Sequence, residues 1–329
     1  MKNFDVVTIG GATLDIMFGT SQAEIFTSPK TAGGRQLIAF ALGSKIVSRD
    51  VIYTYGGGAA NTAASFSKLG LKTGIIAAIG RGPHGQGLID KLKNLKVDCA
   101  RIQLTSDPTG LSFAVTGGQK RDHVIFVHRS ANDLLQISPA GLLGFKAKWF
   151  YLSSLSGRLW EKNLRTVFAA AVKNNVKVAW NPGGSQLSRG YAVLKKYFKQ
   201  TDALILNKDE ARSLVARAGL KTGNLSQLLK ALYQWGPKIV AITEGDKGAA
   251  VCSGELVCFE KPLPVVGVNT TGAGDAFGSS LVGGLLLYGG DLKKALRLAM
   301  LRSNYVVRLV GAQEGLLTLA AVKRLKYKI

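Results

Sequence analysis

The sequence predicts an α/β fold of three layers, in which helices cover both faces of a mostly parallel sheet and a small second sheet stands off to one side. Two observations lead there. From Lys146 onward short apolar runs alternate with helical patterns, and repeated strand–helix–strand units imply parallel strands with the helices on both sheet faces. Within residues 20–55 and 100–130 the alternation is interrupted by pairs of strand-like runs with no helix between them.

Taken in order, Phe4–Gly11 is a buried-strand pattern ending in glycines, with Asp15 four residues beyond it. Sites in parallel sheets lie past the carboxyl ends of strands, so Asp15 is placed to meet a polar ligand, although a turn or cap aspartate explains it equally. Gln36–Leu42 and Val51–Tyr55 then read as short strands around a turn. The run Gly56-Gly57-Gly58 permits close backbone approach and opens a helix over Ala59–Leu69, which Gly70 stops. Asn61 falls in its first turn, where it can bond a hydroxyl-rich ligand or serve only the helix end. A strand over Gly74–Gly80 follows, and Leu111–Thr116 with His123–His128 flank a hairpin signal at Gly117-Gly118.

In the second half, strand Trp149–Ser153 leads to a helix that keeps Leu164, Val167, Phe168, Ala171 and Val172 at helical spacing, and then to strand Val176–Trp180. Strand Ala203–Asn207 runs into a helix over Lys208–Ala218. There Asn207 and Glu210 stand three apart on one face, spacing that suits a capping box as well as a metal held through water. Strand Lys238–Thr243 ends in Thr243-Glu244-Gly245-Asp246-Lys247-Gly248, either a plain turn or a ligand loop, and a hairpin pairs Gly248–Ser253 with Leu256–Glu260. A last helix from Asp291 keeps Leu292, Ala295, Leu296, Ala299, Val306, Val307 and Val310 on one face up to Gly311.

Composition narrows the class. With 329 residues, 47% of them hydrophobic, the chain can bury a large core and is not disordered. One domain over residues 1–329, carrying the small sheet as an insertion, is expected. No signal peptide or membrane-length apolar run is visible, which points to a cytoplasmic protein without membrane partners. Cys99, Cys252 and Cys258 form no Cys-x-x-Cys pair, and His84, His123 and His128 lack zinc spacing. The 43 Lys and Arg against 20 Asp and Glu give +23, but they are spread along the chain. A solvated basic face that attracts anionic nucleotides explains this better than a nucleic-acid partner does.

The chain is organised around Gly267-Val268-Asn269-Thr270-Thr271-Gly272-Ala273-Gly274-Asp275, a glycine-rich turn that runs into the apolar stretch Ala276–Leu287. A helix starting at Gly272 aims free N–H groups and a positive dipole end at its ligand. A carboxylate inside an anion site needs a task, and taking the proton from a hydroxyl that attacks a phosphate is one. A helix-capping aspartate that offsets the dipole is the plainer explanation.

The segment from Asn269 to Asp275 resembles the C-terminal signature Asp-Thr-x-Gly-Ala-Gly-Asp of the ribokinase-like (PfkB) sugar and nucleoside kinases, departing only at its first position. Gly56-Gly57-Gly58-Ala59-Ala60-Asn61-Thr62-Ala63, with Leu69-Gly70 downstream, resembles their N-terminal signature. Asn207 to Glu210 resembles their Asn-x-x-Glu motif, and Thr243 to Gly248 their Thr-x-Gly-x-x-Gly loop. The family often carries Gly-x-Asp-x-x-Gly where this chain has Gly80-Arg81-Gly82-Pro83-His84-Gly85.

The resemblance implies a ribokinase-like fold whose small sheet is a lid, and an ATP-dependent kinase acting on a sugar hydroxymethyl group. It implies Asp275 as the base, with the amides of Gly272, Ala273 and Gly274 around the transferring phosphoryl group. Asp15, Gly57 and Asn61 are then acceptor ligands, Asn207, Thr243, Gly245 and Gly248 nucleotide ligands, and Glu210 the magnesium ligand. Asn269 and Gly315 stand where potassium-activated relatives carry an aspartate and a serine, which implies weak or absent potassium activation. The closest alternative is a nucleoside kinase, with Phe40, Tyr53 or Tyr55 stacking on a base. A catalytically idle member that binds a ligand or nucleic acid is the other, and a homodimer through the lid is compatible with either kinase.

Overall fold

The structure, a computed structural model, describes residues 2–27, 36–117, 122–221, 223–264, 270–325 and 329. Its first half runs β1 (Lys2–Ile9), β2 (Thr13–Thr20), β3 (Glu24–Thr27), β4 (Gln36–Ala39), β5 (Asp50–Gly56), α1 (Gly58–Lys68), β6 (Thr73–Ile76), β7 (Ala78–Gly80), α2 (Pro83–Asn94), β8 (Gln103–Thr105), β9 (Gly110–Gly117), β10 (Asp122–His128) and β11 (Phe145–Leu152). The second half runs α3 (Trp160–Lys173), β12 (Lys177–Trp180), α4 (Gly184–Leu187), α5 (Gly190–Phe198), β13 (Ala203–Asn207), α6 (Lys208–Arg217), α7 (Leu225–Gln234), β14 (Ile239–Thr243), β15 (Ala249–Ser253), β16 (Leu256–Glu260), α8 (Ala273–Leu287), α9 (Leu292–Val306) and α10 (Leu319–Arg324).

The main sheet has the order β16-β15-β14-β13-β12-β11-β1-β6. It is parallel from β6 to β14, and β15 and β16 close it as an antiparallel hairpin. Strands buried on both faces read as continuous apolar runs, as Ala203–Asn207 does. One face packs on α3, α5, α6 and α7 through Phe168, Trp180, Phe198 and Leu232, the other on α1, α8 and α9 through Phe66, Phe277, Leu281 and Ala299. The three layers match the sequence expectation.

Helix α8 is largely apolar and is buried from Ala276 to Leu285 because it runs between the sheet, α1 and α9. Its glycines lower intrinsic helix propensity, and burial overrides that cost. Helix α9 begins at an Asp291 side chain that accepts from the Lys294 amide at 2.9 Å. It stops at Val306, so Val307 and Val310 belong to the turn beyond it and not to the helix face.

The second sheet differs in detail from the sequence expectation. Its order is β10-β9-β2-β5, whereas Gln36–Ala39 pairs with β3 and not with β5. The central strand β2 precedes the segment in which lid strands were expected, so Asp15 sits inside a strand of the second sheet and not in a turn after β1. Helix α2, whose Pro-Gly-rich start hides its pattern, and helix α7, opened by an Asn224–Gln227 capping box, complete the described helices.

Candidate active site

Helix α1 starts where β5 leaves the second sheet. Gly57 has φ 89°, and a Cβ there would fall 2.6 Å from the Gly11 carbonyl oxygen and from Ala12 Cα, so only glycine fits. This close approach lets the Ala59 amide donate to the Gly11 carbonyl at 2.9 Å and docks the helix start on the end of β1. Asn61, one turn in, is thereby held beside the start of α8. Its Nδ2 donates to Asp275 Oδ2 at 2.8 Å, and its Oδ1 accepts from Gln313 Nε2 at 3.0 Å.

Asp275 lies in the first turn of α8. Gly272 caps that helix at φ 80°, and a Cβ there would strike Ala312 at 2.5 Å. Burial pushes the Asp275 pKa up to about 6; the Asn61 hydrogen bond opposes the shift and the Asp15 charge adds to it. Asp15 is 5% exposed and accepts from Thr13 Oγ1 at 2.8 Å. Desolvation raises its pKa to about 6 as well, with Thr13 lowering it, Glu314 raising it and Lys91 lowering it. Two carboxylates of raised pKa therefore lie close enough for the charge of Asp15 to act on Asp275, and Lys91 and Glu314, paired at 2.8 Å, act likewise on Asp15.

Of the three amides expected to form an anion hole, that of Ala273 donates to the Thr270 carbonyl at 3.2 Å, a correction to the sequence reading. The amides of Gly274 and Asp275 lie in the first helical turn, beyond the reach of an intrahelical carbonyl. Asn269 lies outside the described residues.

A second group gathers where β13 and β14 end side by side, with Asn207 in register with Thr243. A cleft of about 440 Å³ is lined there by Asn207, Arg212, Thr243, Glu244, Gly245 and Lys247, among others. Gly248 follows the turn with φ 109°, tight against the Glu260 carbonyl. Asn207 Oδ1 accepts from the Glu210 amide at 2.8 Å, while Glu210 Oε2 accepts from the Asn207 amide at 2.9 Å. The capping box is thus realised. Glu210 is half-buried with a raised pKa, driven by desolvation against the Asn207 bond. Lys208 pairs with Glu244 at the cleft wall.

The pfkB family carbohydrate kinase model matches residues 34–319, a span that takes in every site residue of both groups except Asp15 and its partner Thr13. The chain belongs to this family. It is an ATP-dependent phosphotransferase of the carbohydrate kinase type. The chain is 27% identical over 266 residues to the ATP-dependent 6-phosphofructokinase of Thermoanaerobacterium thermosaccharolyticum, covering 78% of this chain and 80% of that one. Its fold is similar to Arabidopsis thaliana ribokinase complexed with ribose and ATP, at TM-score 0.79 and 22% identity over 100% of both chains. It is also similar to the Burkholderia thailandensis nucleoside kinase in complex with inosine, at TM-score 0.79 and 16% identity over 97% of both.

Within this kinase the site residues expected from the sequence fall into the two groups just described. Gly57, Asn61, Asp15 and Asp275 meet around the start of α8, and Asn207, Glu210, Thr243, Gly245 and Gly248 meet at the ends of β13 and β14. Helix α8 lies over the strands between them, since a Cβ at Gly278 would lie 2.2 Å from the Tyr151 hydroxyl of β11 and 3.5 Å from Ile205 of β13. Among the described residues no cluster of three or more His, Cys, Asp or Glu side chains could hold a metal. A single carboxylate such as Glu210 fits a magnesium ion that takes most of its ligands from water and phosphate.

The sequence reading missed Gln313, Thr13, Lys91 and Glu314. Gln313 directly follows the Gly311-Ala312 pair that packs on Gly272, and that position was the one available signal. Tyr53 and Tyr55 pair with Ile16 and Leu14, whereas Thr54 pairs with Asp15. Side chains alternate along a strand, so both tyrosines project from the face of the second sheet opposite Asp15. Tyr55 packs instead among Ile79, Leu88 and their neighbours.

Proposed function

We propose that this kinase transfers the γ-phosphoryl group of ATP to a hydroxymethyl group of a sugar, with Asp275 as the general base. The observation that carries the proposal is a carboxylate with its pKa near 6 at the N-terminus of a buried helix, oriented by an asparagine from the helix below the lid. Asp275 takes the hydroxyl proton, the freed oxygen forms the new bond to the γ-phosphorus, and the bond from that phosphorus to the β,γ-bridging oxygen breaks to release ADP. First-turn amides of α8 stabilise charge on the transferring group. Asp15 orients the acceptor, and closure of the lid over it excludes competing water. Glu210 and Asn207 would hold a magnesium ion through water near the cleft at β13 and β14, where its charge would offset that of the phosphates. Thr243, Gly245 and Gly248 line the nucleotide's place.

A nucleoside acceptor is the second reading, supported by the structural likeness to the Burkholderia enzyme. Tyr53, which is exposed, and Tyr55, which packs beside Ile79 and Leu88, argue against it, because both project from the sheet face opposite Asp15 and do not stack on a base held there. Self-association through the lid belongs to the same proposal: Ile52, Val124, Ile125, Phe126 and Val127 expose apolar surface on it. A cytoplasmic setting suits an ATP consumer.

ADP release from Mg-ATP, measured against a panel of pentoses, ketohexoses, acidic sugars, sugar phosphates and nucleosides, tests the reading. Turnover with a sugar supports it. A nucleoside as the preferred acceptor promotes the second reading. ATP binding with no turnover on any acceptor, together with salt-dependent binding of nucleic acid, would overturn both.

A further inference from the structure

Arg302 of α9 is fully buried, and none of its four hydrogen bonds goes to a carboxylate. Its Nη1 donates to Ser65 Oγ and Ser280 Oγ, both at 2.7 Å, its Nη2 to the Ser65 carbonyl at 3.0 Å, and its Nε to the Leu317 carbonyl at 3.0 Å. Burial pulls its pKa down to about 9, which leaves it a cation at neutral pH. Removing a guanidinium from water is costly, and nothing in the reaction as derived above uses the group.

The partners reveal a pattern. Ser65 lies one helical turn after Asn61 in α1, and Ser280 lies in the turn of α8 that follows Asp275. Leu317 lies four residues after Gln313. Asp275, Asn61 and Gln313 are the three members of the hydrogen-bonded chain at the site. Arg302 therefore binds the three segments that supply that chain, one layer beneath it.

A guanidinium can only donate, so the Ser65 hydroxyl must accept from it and turn its own proton elsewhere. Ser279 Oγ lies 2.7 Å from Ser65 Oγ and 2.5 Å from the Asp275 carbonyl oxygen. Ser279 therefore bridges Ser65, which accepts from the cation, to the backbone of Asp275. The cation and the serines of α1 and α8 that it touches are thus joined through Ser279 to the backbone of Asp275. An apolar layer would fill the same space but would fix no direction and no register between the helices.

We propose that Arg302 is a positioning residue for the phosphoryl transfer, locking α1, α8 and the segment after α9 in the register that aims Asn61 at Asp275. This rests on the kinase reading above. Displacement of a reacting group by about 1 Å can cost on the order of a hundredfold in rate. Arg302→Met is accordingly expected to lower kcat by about 10- to 100-fold while the KM for ATP moves less than about twofold.

The test compares wild type, Arg302→Met, Ser279→Ala and the triple variant Arg302→Met/Ser65→Ala/Ser280→Ala, which replaces the layer by apolar groups. Thermal unfolding, kcat, KM and the exchange protection of the Asn61 and Gln313 side-chain amides in nitrogen-edited NMR spectra are measured for each. The triple variant is expected to recover the Tm lost in Arg302→Met while kcat and Asn61 amide protection stay low, and Ser279→Ala is expected to show the same losses in milder form. A triple variant that recovers kcat together with Tm would make Arg302 a packing residue and overturn the proposal. So would undiminished Asn61 protection in Ser279→Ala and the triple variant. The amide readout decides even if Arg302→Met alone does not fold. A wild type that turns over no acceptor refutes the kinase reading separately.

Discussion

Asn61 Nδ2 donates to Asp275 Oδ2 at 2.8 Å, joining residues 214 positions apart in the chain. An amide holds the carboxylate without supplying charge, so burial can still raise its pKa to about 6, and the same hydrogen bond engages Oδ2 and leaves Oδ1 as the oxygen that Asn61 does not bind. Asn61 also accepts from Gln313, yet an amide has two N–H groups and two lone pairs. One donor and one acceptor remain for a substrate hydroxyl, so the ligand role expected for Asn61 and its role toward Asp275 are compatible.

Asp275→Asn is expected to lower kcat by roughly a hundred- to ten-thousand-fold, the usual range for a lost general base, with ATP binding nearly unchanged. In wild type kcat/KM should fall as the pH drops below about 6, because the base must be ionised. Steady-state rates between pH 5 and 8, with ATP affinity measured separately, check both points. Near-normal turnover of the variant removes Asp275 as the base.

The same shifts make a stability prediction with a definite sign. Asp15 and Asp275 rise from the ordinary 3.8 to about 6 in the folded chain, which therefore binds more protons than the unfolded chain across that window. Their contribution is fully present below about pH 4 and is lost as pH rises through about 6. For buried Asp15 the loss is at most on the order of 3 kcal/mol, and it is smaller for half-buried Asp275, which solvent screens. Asp275→Asn, although inactive, should thus melt higher than wild type at pH 8, with the difference closing by pH 4. Calorimetry at the two pH values decides it, and a variant that melts lower at pH 8 contradicts the account.

Gly57 holds φ 89° with no room for a Cβ against Gly11 and Ala12. Gly57→Ala should cost on the order of 1–3 kcal/mol of stability from the backbone conformation alone. Relief of the clash moves the start of α1, and Asn61 with it, so the acceptor KM should rise several-fold while the ATP KM holds. Equal changes in both constants would show that α1 does not serve the acceptor side specifically.

What could be read from the sequence follows from what is local. The parallel sheet, the two helix-start signatures and the β15–β16 hairpin are written in short apolar runs and glycine turns, and they appear where expected. Asp15 was assigned the right neighbourhood but the wrong element, because Thr13–Thr20 interleaves glycine, aspartate and apolar residues without clean alternation. Arg302 was invisible: in Leu292–Val306 an arginine looks like part of the solvated face, and only Ser65 and Ser280, brought in from two other helices, reveal it as buried. Asn207 and Glu210 could be read both as a cap and as a metal site, and their spacing alone could not separate the two.

Gly315 packs where a Cβ would fall 2.4 Å from the Tyr305 carbonyl, so it presents no side chain to a cation. With asparagine at position 269, a monovalent cation also loses a carboxylate. Exchanging a large organic cation for potassium at constant ionic strength should leave the rate within about twofold, less than 1 kcal/mol of coupling. A severalfold rise on adding potassium would contradict the expectation.

Glu210→Gln separates the two roles of the Asn207–Glu210 pair. Glutamine at the third helical position can still accept from the Asn207 amide, so the capping box survives and the Tm should change by little. The negative charge is lost, and a magnesium ion held near it through water loses that acidic partner. Titration of the rate with magnesium at fixed ATP should therefore shift its midpoint upward by several-fold, with kcat at saturating magnesium recovering much of the wild-type value. An unchanged midpoint, with Tm also unchanged, would leave Glu210 as a helix cap whose charge has no part in the reaction.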